Sequence, residues 1–167
     1  PVKDRTATAM FKVTSPLPPF SGGEGTGVRS GDVYFLAWTT TPWTLPSNTA
    51  LAVGEKITYV SLKTFNPFSH KLVHVILAKD LVGKYFPEKN AELKFEDYKA
   101  GDKAIPFQIV TEFKGSDLVG LKYEQLLPYA LPYENAENAF RVIAGDFVST
   151  EDGTGIVHIA PTFGADD

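Results

Sequence analysis

The chain has 167 residues, a formal net charge of −4 at pH 7 and no cysteine. This length predicts one domain with room for a sizeable core, and the absence of cysteine excludes disulfides and thiolate metal sites. We expect a cytoplasmic protein, because neither a membrane-spanning apolar run nor a secretory leader is recognisable. The negative charge argues against a tight, sequence-independent grip on nucleic acid, so any such contact is local or supplied by another part of a larger protein.

The start of the chain predicts a strand and then a long loop. Residues 6–13 are rich in threonine and apolar side chains, which is typical of a β-strand. Residues 14–31 are rich in glycine and proline and predict a loop. The run Gly22–Gly27 superficially resembles a phosphate-binding loop, but no strand leads into it and neither Lys-Ser/Thr nor a helix follows. We therefore expect an insertion rather than a phosphate site.

The stretch Leu36–Asn48 concentrates hydroxyl groups at the end of a predicted strand. Residues 33–38 form a β-rich alternating run, and four threonines, two tryptophans and two prolines lie between Leu36 and Asn48. Pro42 and Pro46 favour an extended backbone at the residue before each of them, and neither can donate a ladder hydrogen bond. Strand pairing should therefore stop here, and the chain should form a rigid corner lined by threonine hydroxyls.

The middle of the chain predicts short strands followed by short helices. We expect a strand at 49–53, a hairpin of 57–63 with 71–78, and two short helices within 79–98 that are separated at Pro87.

His70 and His74 raise the question of a metal site in this region. Four residues apart on a strand, they would lie roughly 13 Å from each other at about 3.3 Å per residue, too far to bind one ion. We interpret both as surface histidines.

The rest of the chain predicts further strands, at 105–113, 140–144, 147–149 and 156–161. Many short strands with short helices between them indicate a mainly β fold, a β-barrel with short decorating α-helices. No internal repeat is visible, and we treat residues 1–167 as a single domain.

A second group of candidate site residues follows Asp152. The run Asp152–Gly155 predicts a tight turn whose glycines are free to adopt positive φ. The next strand is apolar except for His158, a pattern that is more often a satisfied core histidine than a site residue. Asp166 and Asp167, taken alone, are typical of a helix cap or a solvated end. Together with the threonines, however, these residues could bind an ammonium group and position a water, which suits hydrolysis of an amino-acid ester.

The two groups together resemble the editing domain of isoleucyl-tRNA synthetase, the connective insertion in the catalytic domain of that enzyme. One motif runs from Thr39 to Asn48, and the other runs from Gly153 to Pro161 and continues to Gly164-Ala165-Asp166-Asp167. The sister valyl and leucyl enzymes resemble Thr-Thr-Arg-Pro at the first motif. Thr41-Pro42-Trp43 therefore points to the isoleucyl branch, and the resemblance spans nearly the whole chain.

The resemblance implies a role for each matching residue. By this likeness Thr39, Thr40 and Thr41 line the editing pocket, Thr44 and Asn48 extend its wall, His158 helps to exclude isoleucine and positions water, and Asp167 holds the substrate ammonium. The catalytic candidates are Thr40, His158 and Asp167, and the substrate-binding candidates are Thr39, Thr41, Thr44 and Asn48. No metal and no cofactor are expected.

The implied function is editing: hydrolysis of valine mischarged on tRNA(Ile) at a second, smaller site. The implied partners are the valine-bearing 3′ end of tRNA(Ile), valyl-adenylate and the rest of a synthetase chain. Neither His-Ile-Gly-His nor Lys-Met-Ser-Lys-Ser is present, so these residues alone are not expected to charge tRNA. A noncatalytic β-barrel module that binds the adenylate or the tRNA end is the alternative, and turnover separates the two.

Overall fold

A computed structural model describes residues 6–18, 31–129 and 131–161. Within these ranges the strands are β1 (Ala7–Lys12), β2 (Asp32–Thr39), β3 (Ala50–Val53), β4 (Thr58–Phe65), β5 (Leu72–Ala78), β6 (Phe107–Lys114), β7 (Arg141–Ala144) and β8 (Ile156–Ile159). The helical elements are α1 (Val82–Tyr85), α2 (Gly115–Leu118) and 3-10 turns at Pro42–Ser47, Lys79–Leu81, Glu88–Glu92, Phe95–Asp97 and Ala136–Asn138. The predictions for the run Gly22–Gly27 and for Asp166 and Asp167 lie outside the described residues.

The strands form one sheet in the order β6-β4-β5-β2-β8-β3-β7, with β1 paired to the other edge of β2. On the edge opposite β1, β5 pairs in parallel with residues 32–35 of β2, and β8 pairs in parallel at Trp38. Strands β5 and β8 therefore follow one another along the same edge of β2. The sheet curls into a half-barrel decorated by short helices, which confirms the predicted fold class.

Three apolar clusters are found among the described residues, and the two larger ones lie on opposite faces of the sheet. The largest cluster includes Phe11 and Phe35, the second includes Leu36 and Leu62, and a small third cluster includes Ile159. Consecutive residues of β2 thus enter different clusters, because side chains on a strand alternate between the two faces. Residues 73–78 of β5 are buried without interruption, which is the pattern of a central strand covered on both sides.

Most predicted strands are present with small shifts of their ends, but two predictions were wrong. Residues 147–149 do not form a strand: Gly145 accepts a backbone hydrogen bond from Val148, so the chain turns after β7. His74 is not a surface residue, since it lies on the central strand β5 and only 7% of it is exposed. His70 is half-buried in the turn between β4 and β5, with φ at 58°. None of the helices in the described ranges is long and apolar enough to cross a membrane.

Candidate active site

The threonine-rich corner forms where the sequence predicts it. Strand β2 ends at Thr39, and the chain turns through the 3-10 segment Pro42–Ser47, which has a proline at its start. A proline is well tolerated there because the first N–H groups of a helix have no internal partner. The turn closes with hydrogen bonds from the Thr44 amide to the Thr41 carbonyl, 3.0 Å, and from the Asn48 amide to the Leu45 carbonyl, 3.1 Å.

The corner forms one wall of a cavity of about 320 Å³. The opposite wall consists of the turn Asp152–Gly155 and the strand β8 that follows it. The lining residues are Trp38, Thr39, Thr40, Thr41, Thr44, Phe147, Ser149, Asp152, Gly153, Thr154, Gly155, Ile156, Val157, His158 and Ala160. The two motifs, more than a hundred residues apart in the chain, therefore face each other. They meet because β8 pairs with β2 next to the point where the corner begins.

The threonines of the corner are bonded to one another. The Thr39 hydroxyl accepts the Thr41 amide at 3.0 Å and lies 3.3 Å from the Thr41 hydroxyl. The Thr44 hydroxyl donates to the Thr41 carbonyl at 2.8 Å and lies 3.4 Å from the Thr41 hydroxyl. Thr39 and Thr44 are buried, whereas Thr40 and Thr41 are exposed at the cavity. This arrangement presents a fixed array of oxygen atoms to anything that enters.

His158 joins β8 to the corner. Its Nε2 lies 3.0 Å from the Thr44 hydroxyl, and its Nδ1 lies 2.7 Å from the side-chain nitrogen of Asn48. Only 9% of the residue is exposed, so it is both a satisfied buried histidine and part of the cavity wall. From the sequence, a core histidine and a site residue were alternative interpretations of His158, and in the structure it is both.

Asn48 stands behind His158 and is not among the residues that line the cavity. Its side-chain nitrogen also donates to the Ala50 carbonyl at 2.9 Å, and its oxygen accepts the Tyr123 hydroxyl at 2.5 Å. Tyr123 is buried, and burial raises the pKa of its hydroxyl, although the Asn48 hydrogen bond opposes the shift. The hydroxyl therefore stays protonated and remains a donor.

The opposite wall depends on glycine and on a second buried tyrosine. Gly153 and Gly155 have φ of 70° and 74°, as predicted for this turn. A Cβ on Gly155 would lie 2.5 Å from the Cβ of Ala78, closer than two carbons can approach. The Tyr59 hydroxyl donates to the Gly155 carbonyl at 2.5 Å and accepts the Gly54 amide at 3.0 Å. This pair of bonds links the turn to the end of β3.

The cavity thus brings together five of the seven predicted site residues: Thr39, Thr40, Thr41, Thr44 and His158. Asn48 is one hydrogen bond away from it, and Asp167 lies outside the described residues. Sequence reasoning missed Tyr59 and Tyr123, for which a buried hydroxyl is the only distinguishing feature and is invisible without the fold. In the ranges that the structure describes, no group of three His, Asp or Glu side chains could hold a metal ion.

In chemical terms the cavity offers hydroxyl oxygens, one imidazole and apolar walls. Hydroxyl and imidazole groups can orient a water molecule for attack on an ester. Asp152 places a carboxylate at the cavity, 3.4 Å from the Lys84 ammonium, but both side chains are largely exposed to solvent.

Comparison with known proteins gives both the fold and the family. No family model matches the chain. It is similar to GlLeuRS-CP1, with a TM-score of 0.62 and 18% identity over 92% of this chain and 58% of that one. It is also similar to the P. falciparum cytosolic leucyl-tRNA synthetase editing domain, with a TM-score of 0.62 and 13% identity over 95% of this chain and 61% of that one. The fold is therefore that of synthetase editing domains.

Two relatives found by sequence share a much higher identity with the chain than these solved structures do. The chain is 62% identical over 166 residues to the isoleucine–tRNA ligase of Cytophaga hutchinsonii, and 56% identical over 174 residues to that of Bacteroides thetaiotaomicron. Each match includes 99% of this chain, which spans 14% of the length of each relative. The chain belongs to the isoleucine–tRNA ligase family, and the family predicted from the two motifs is confirmed.

Proposed function

We propose that residues 1–167 are the editing domain of a larger synthetase and hydrolyse valine mischarged on tRNA(Ile). The observation that carries this proposal is the meeting of the threonine corner and His158 around one cavity of about 320 Å³. Family membership supports it, as does the likeness in fold to leucyl-tRNA synthetase editing domains. The 3′ end of the tRNA would enter the cavity, while the rest of the synthetase would supply most of the tRNA affinity.

A second site is needed because a pocket built for isoleucine cannot strongly reject valine. One methylene group is worth only about 1–3 kcal/mol, a general value whose standard example is this isoleucine–valine problem and not a result of this structure. A smaller cavity that admits valine and excludes isoleucine reverses the discrimination. We propose that valyl-adenylate is a second substrate, because it carries the same amino-acid moiety.

Within the proposed site, Thr39, Thr41 and Thr44 contact the substrate and Asn48 supports the wall from behind. Thr40 and His158 act on the ester together with a water, and Asp167 binds the α-ammonium group through a charge-assisted contact. No described residue is placed as a strong base. We propose that the ribose hydroxyl next to the ester assists, so that tRNA lacking that hydroxyl should be edited more slowly.

The test is hydrolysis of Val-tRNA(Ile) and Ile-tRNA(Ile) by the full-length synthetase carrying this chain. Asp167→Ala should abolish hydrolysis of the valyl ester, and His158→Ala should extend hydrolysis to the isoleucyl ester by enlarging the cavity. Asp80→Ala changes an exposed aspartate away from the cavity and is the matched control. Asp152→Asn shows whether the carboxylate at the cavity is the ammonium anchor instead.

The outcomes separate the competing interpretations. Loss of the valyl ester in the wild type, but not in Asp167→Ala, would establish the reaction and the anchor. Equal stability of both esters in the wild type would leave only a binding module. Continued sparing of Ile-tRNA(Ile) by His158→Ala would place the size-excluding wall elsewhere.

A further inference from the structure

A continuous chain of hydrogen bonds runs from the core of the protein to the corner of the cavity. It begins at the buried Tyr123 hydroxyl, passes through the Asn48 amide group to the His158 ring, and continues through Thr44 to the Thr41 carbonyl. Its members come from three parts of the polypeptide, the corner, the segment at Tyr123 and strand β8, and Tyr123 is 75 positions away from Asn48. The number of protons on each group fixes which partner donates in each of these hydrogen bonds.

The hydroxyl of Thr44 decides the protonation of Nε2. It has one proton, and that proton is donated to the Thr41 carbonyl at 2.8 Å. At 3.0 Å from Nε2, the Thr44 oxygen can therefore act only as an acceptor towards the ring. It follows that Nε2 of His158 carries a proton and donates it to Thr44.

The amide of Asn48 decides the protonation of Nδ1. Its nitrogen is 2.9 Å from the Ala50 carbonyl and 3.5 Å from the Ile159 carbonyl, and both of these are acceptors. Exchanging the amide nitrogen and oxygen would set two oxygens against each other at the Ala50 position, so the orientation is fixed. Asn48 therefore presents an N–H to Nδ1 at 2.7 Å, and Nδ1 must be unprotonated.

We propose that Asn48, held from behind by Tyr123, is a positioning residue that fixes His158 as the neutral Nε2–H tautomer and thereby sets the threonine wall. This inference rests on the proposed function only for its effect on hydrolysis. Asn48 acts through the imidazole and does not contact the substrate. Tyr123 acts one step further back, by satisfying the Asn48 oxygen and so opposing reorientation of the amide.

The opposite tautomer would change the donors and acceptors of the corner. A proton on Nδ1 would point at the N–H of Asn48, and an unprotonated Nε2 would take the Thr44 proton away from the Thr41 carbonyl. The Thr41 carbonyl would then keep only its bond from the Thr44 amide and lose the one from the Thr44 hydroxyl. The tautomer of a residue on β8 thus controls the hydroxyl arrangement at the end of β2.

The first test is a long-range ¹H–¹⁵N NMR spectrum of the imidazoles in the 167-residue chain. The sequence has three histidines, and His158→Gln identifies the signals of His158 by their loss. We expect a protonated Nε2 and an unprotonated Nδ1 in the wild type. Asn48→Asp replaces the donor by an acceptor of nearly the same shape, so Nδ1 should acquire a proton. Two results would overturn the inference. One is a proton on Nδ1 of His158 in the wild type, and the other is an Nδ1 of His158 that remains unprotonated in Asn48→Asp.

The second test is kinetic and uses the full-length synthetase with Val-tRNA(Ile). Asn48→Asp should lower kcat about tenfold, the equivalent of losing one hydrogen bond, with KM changed less than about twofold. Tyr123→Phe should lower kcat about threefold and remains informative if Asn48→Asp fails to fold. Phe140→Leu changes a ring packed edge-on to Tyr123, with centroids 6.2 Å apart, and leaves the hydroxyl in place. This packing control should keep the wild-type kcat and tautomer.

The two proposals can fail separately. A wild-type enzyme that does not hydrolyse the valyl ester refutes the proposed function but leaves the NMR result standing. A rise in KM alone for Asn48→Asp would make Asn48 a substrate contact and refute the positioning role. An unchanged kcat beside an inverted tautomer would also refute it.

Discussion

The two walls of the cavity are held in place by different means. The corner that ends β2 is held by side-chain hydrogen bonds, from Tyr123 through Asn48 and His158 to Thr44. The turn before β8 is held by backbone conformation and close packing, with Gly155 at positive φ directly against Ala78. Each wall has one buried tyrosine behind it, but Tyr123 bonds to a side chain whereas Tyr59 bonds to backbone groups.

Because of this difference, the corner can take part in chemistry, whereas the turn before β8 mainly provides shape. Hydrogen-bonded side chains can change their protons and partners, so the corner is the wall whose properties depend on protonation state. A turn fixed by steric contact has no such freedom and provides a surface of constant form. We therefore expect substitutions in the turn to act mainly on folding stability, and substitutions in the corner to act also on hydrolysis.

The largest effect is expected for Gly155→Ala. The new methyl group would meet Ala78 at 2.5 Å in a backbone conformation that alanine rarely adopts. Left-handed strain and overpacking together should lower the free energy of unfolding by about 2–5 kcal/mol, measured by urea denaturation. Gly101→Ala is the matched control, since φ there is 95° and no atom lies within 4 Å of the new Cβ. If both variants lose the same stability, the close contact contributes nothing and the steric account of the turn is wrong.

The next effect is expected for Asn48→Ala in the corner. The substitution leaves the Tyr123 hydroxyl, the Ala50 carbonyl and Nδ1 of His158 without this partner in a buried region. We expect a loss of about 2–3 kcal/mol in the free energy of unfolding, measured in the same way. Thr64→Val removes a single buried bond to the Pro106 carbonyl and should cost about 1 kcal/mol. If the two variants lost the same free energy of unfolding, the hydrogen bonds around Asn48 would contribute no more than a single buried bond.

A pH-dependent effect should report on the tyrosine behind each wall. Burial raises the pKa of Tyr59 from 10.0 to about 12 and raises that of Tyr123 as well. The unfolded chain therefore loses these protons first, and the stability is complete below pH 10 and falls as the pH rises from 10 towards 12. Each tyrosine should contribute a slope of about 1.4 kcal/mol per pH unit in that window. Tyr59→Phe and Tyr123→Phe should each reduce the pH dependence of the free energy of unfolding by the contribution of one tyrosine. If neither variant changed this dependence, the two tyrosines would not be its source.

The smallest effect is expected for Lys84→Met at the rim. Lys84 lies 3.4 Å from Asp152 and donates to the Glu151 carbonyl at 2.7 Å, but both ion-pair partners are exposed. Exposed pairs contribute about 0–1 kcal/mol, so the melting temperature should hardly change. A loss comparable with that of Gly155→Ala would mean that surface charge, and not packing, holds the turn.

Local patterns in the sequence determined the mainly β fold, the corner and the two motifs. Alternating apolar residues specify strands, because successive side chains point to opposite faces. Pro42, which has no N–H to donate, begins the 3-10 turn just after β2 has ended. Gly153 and Gly155 indicated a turn for an equally local reason, the backbone freedom of glycine. Such features do not depend on what the chain meets elsewhere.

Only the tertiary structure decided which of these residues meet and what lies behind them. Residues 147–149 were expected to be a strand by composition, but the chain turns there through the Val148–Gly145 hydrogen bond. His74 was expected at the surface and is buried, because the sheet places β5 at its centre.

The partners of His158 were equally hidden in the sequence. Thr44 and Asn48 are 114 and 110 positions away from it, and Tyr123 is 75 positions from Asn48. Sequence spacing holds no information on such contacts, since they depend on how the strands are ordered in the sheet. The residue types of the site were therefore predictable, but the hydrogen bonds that fix their protons were not.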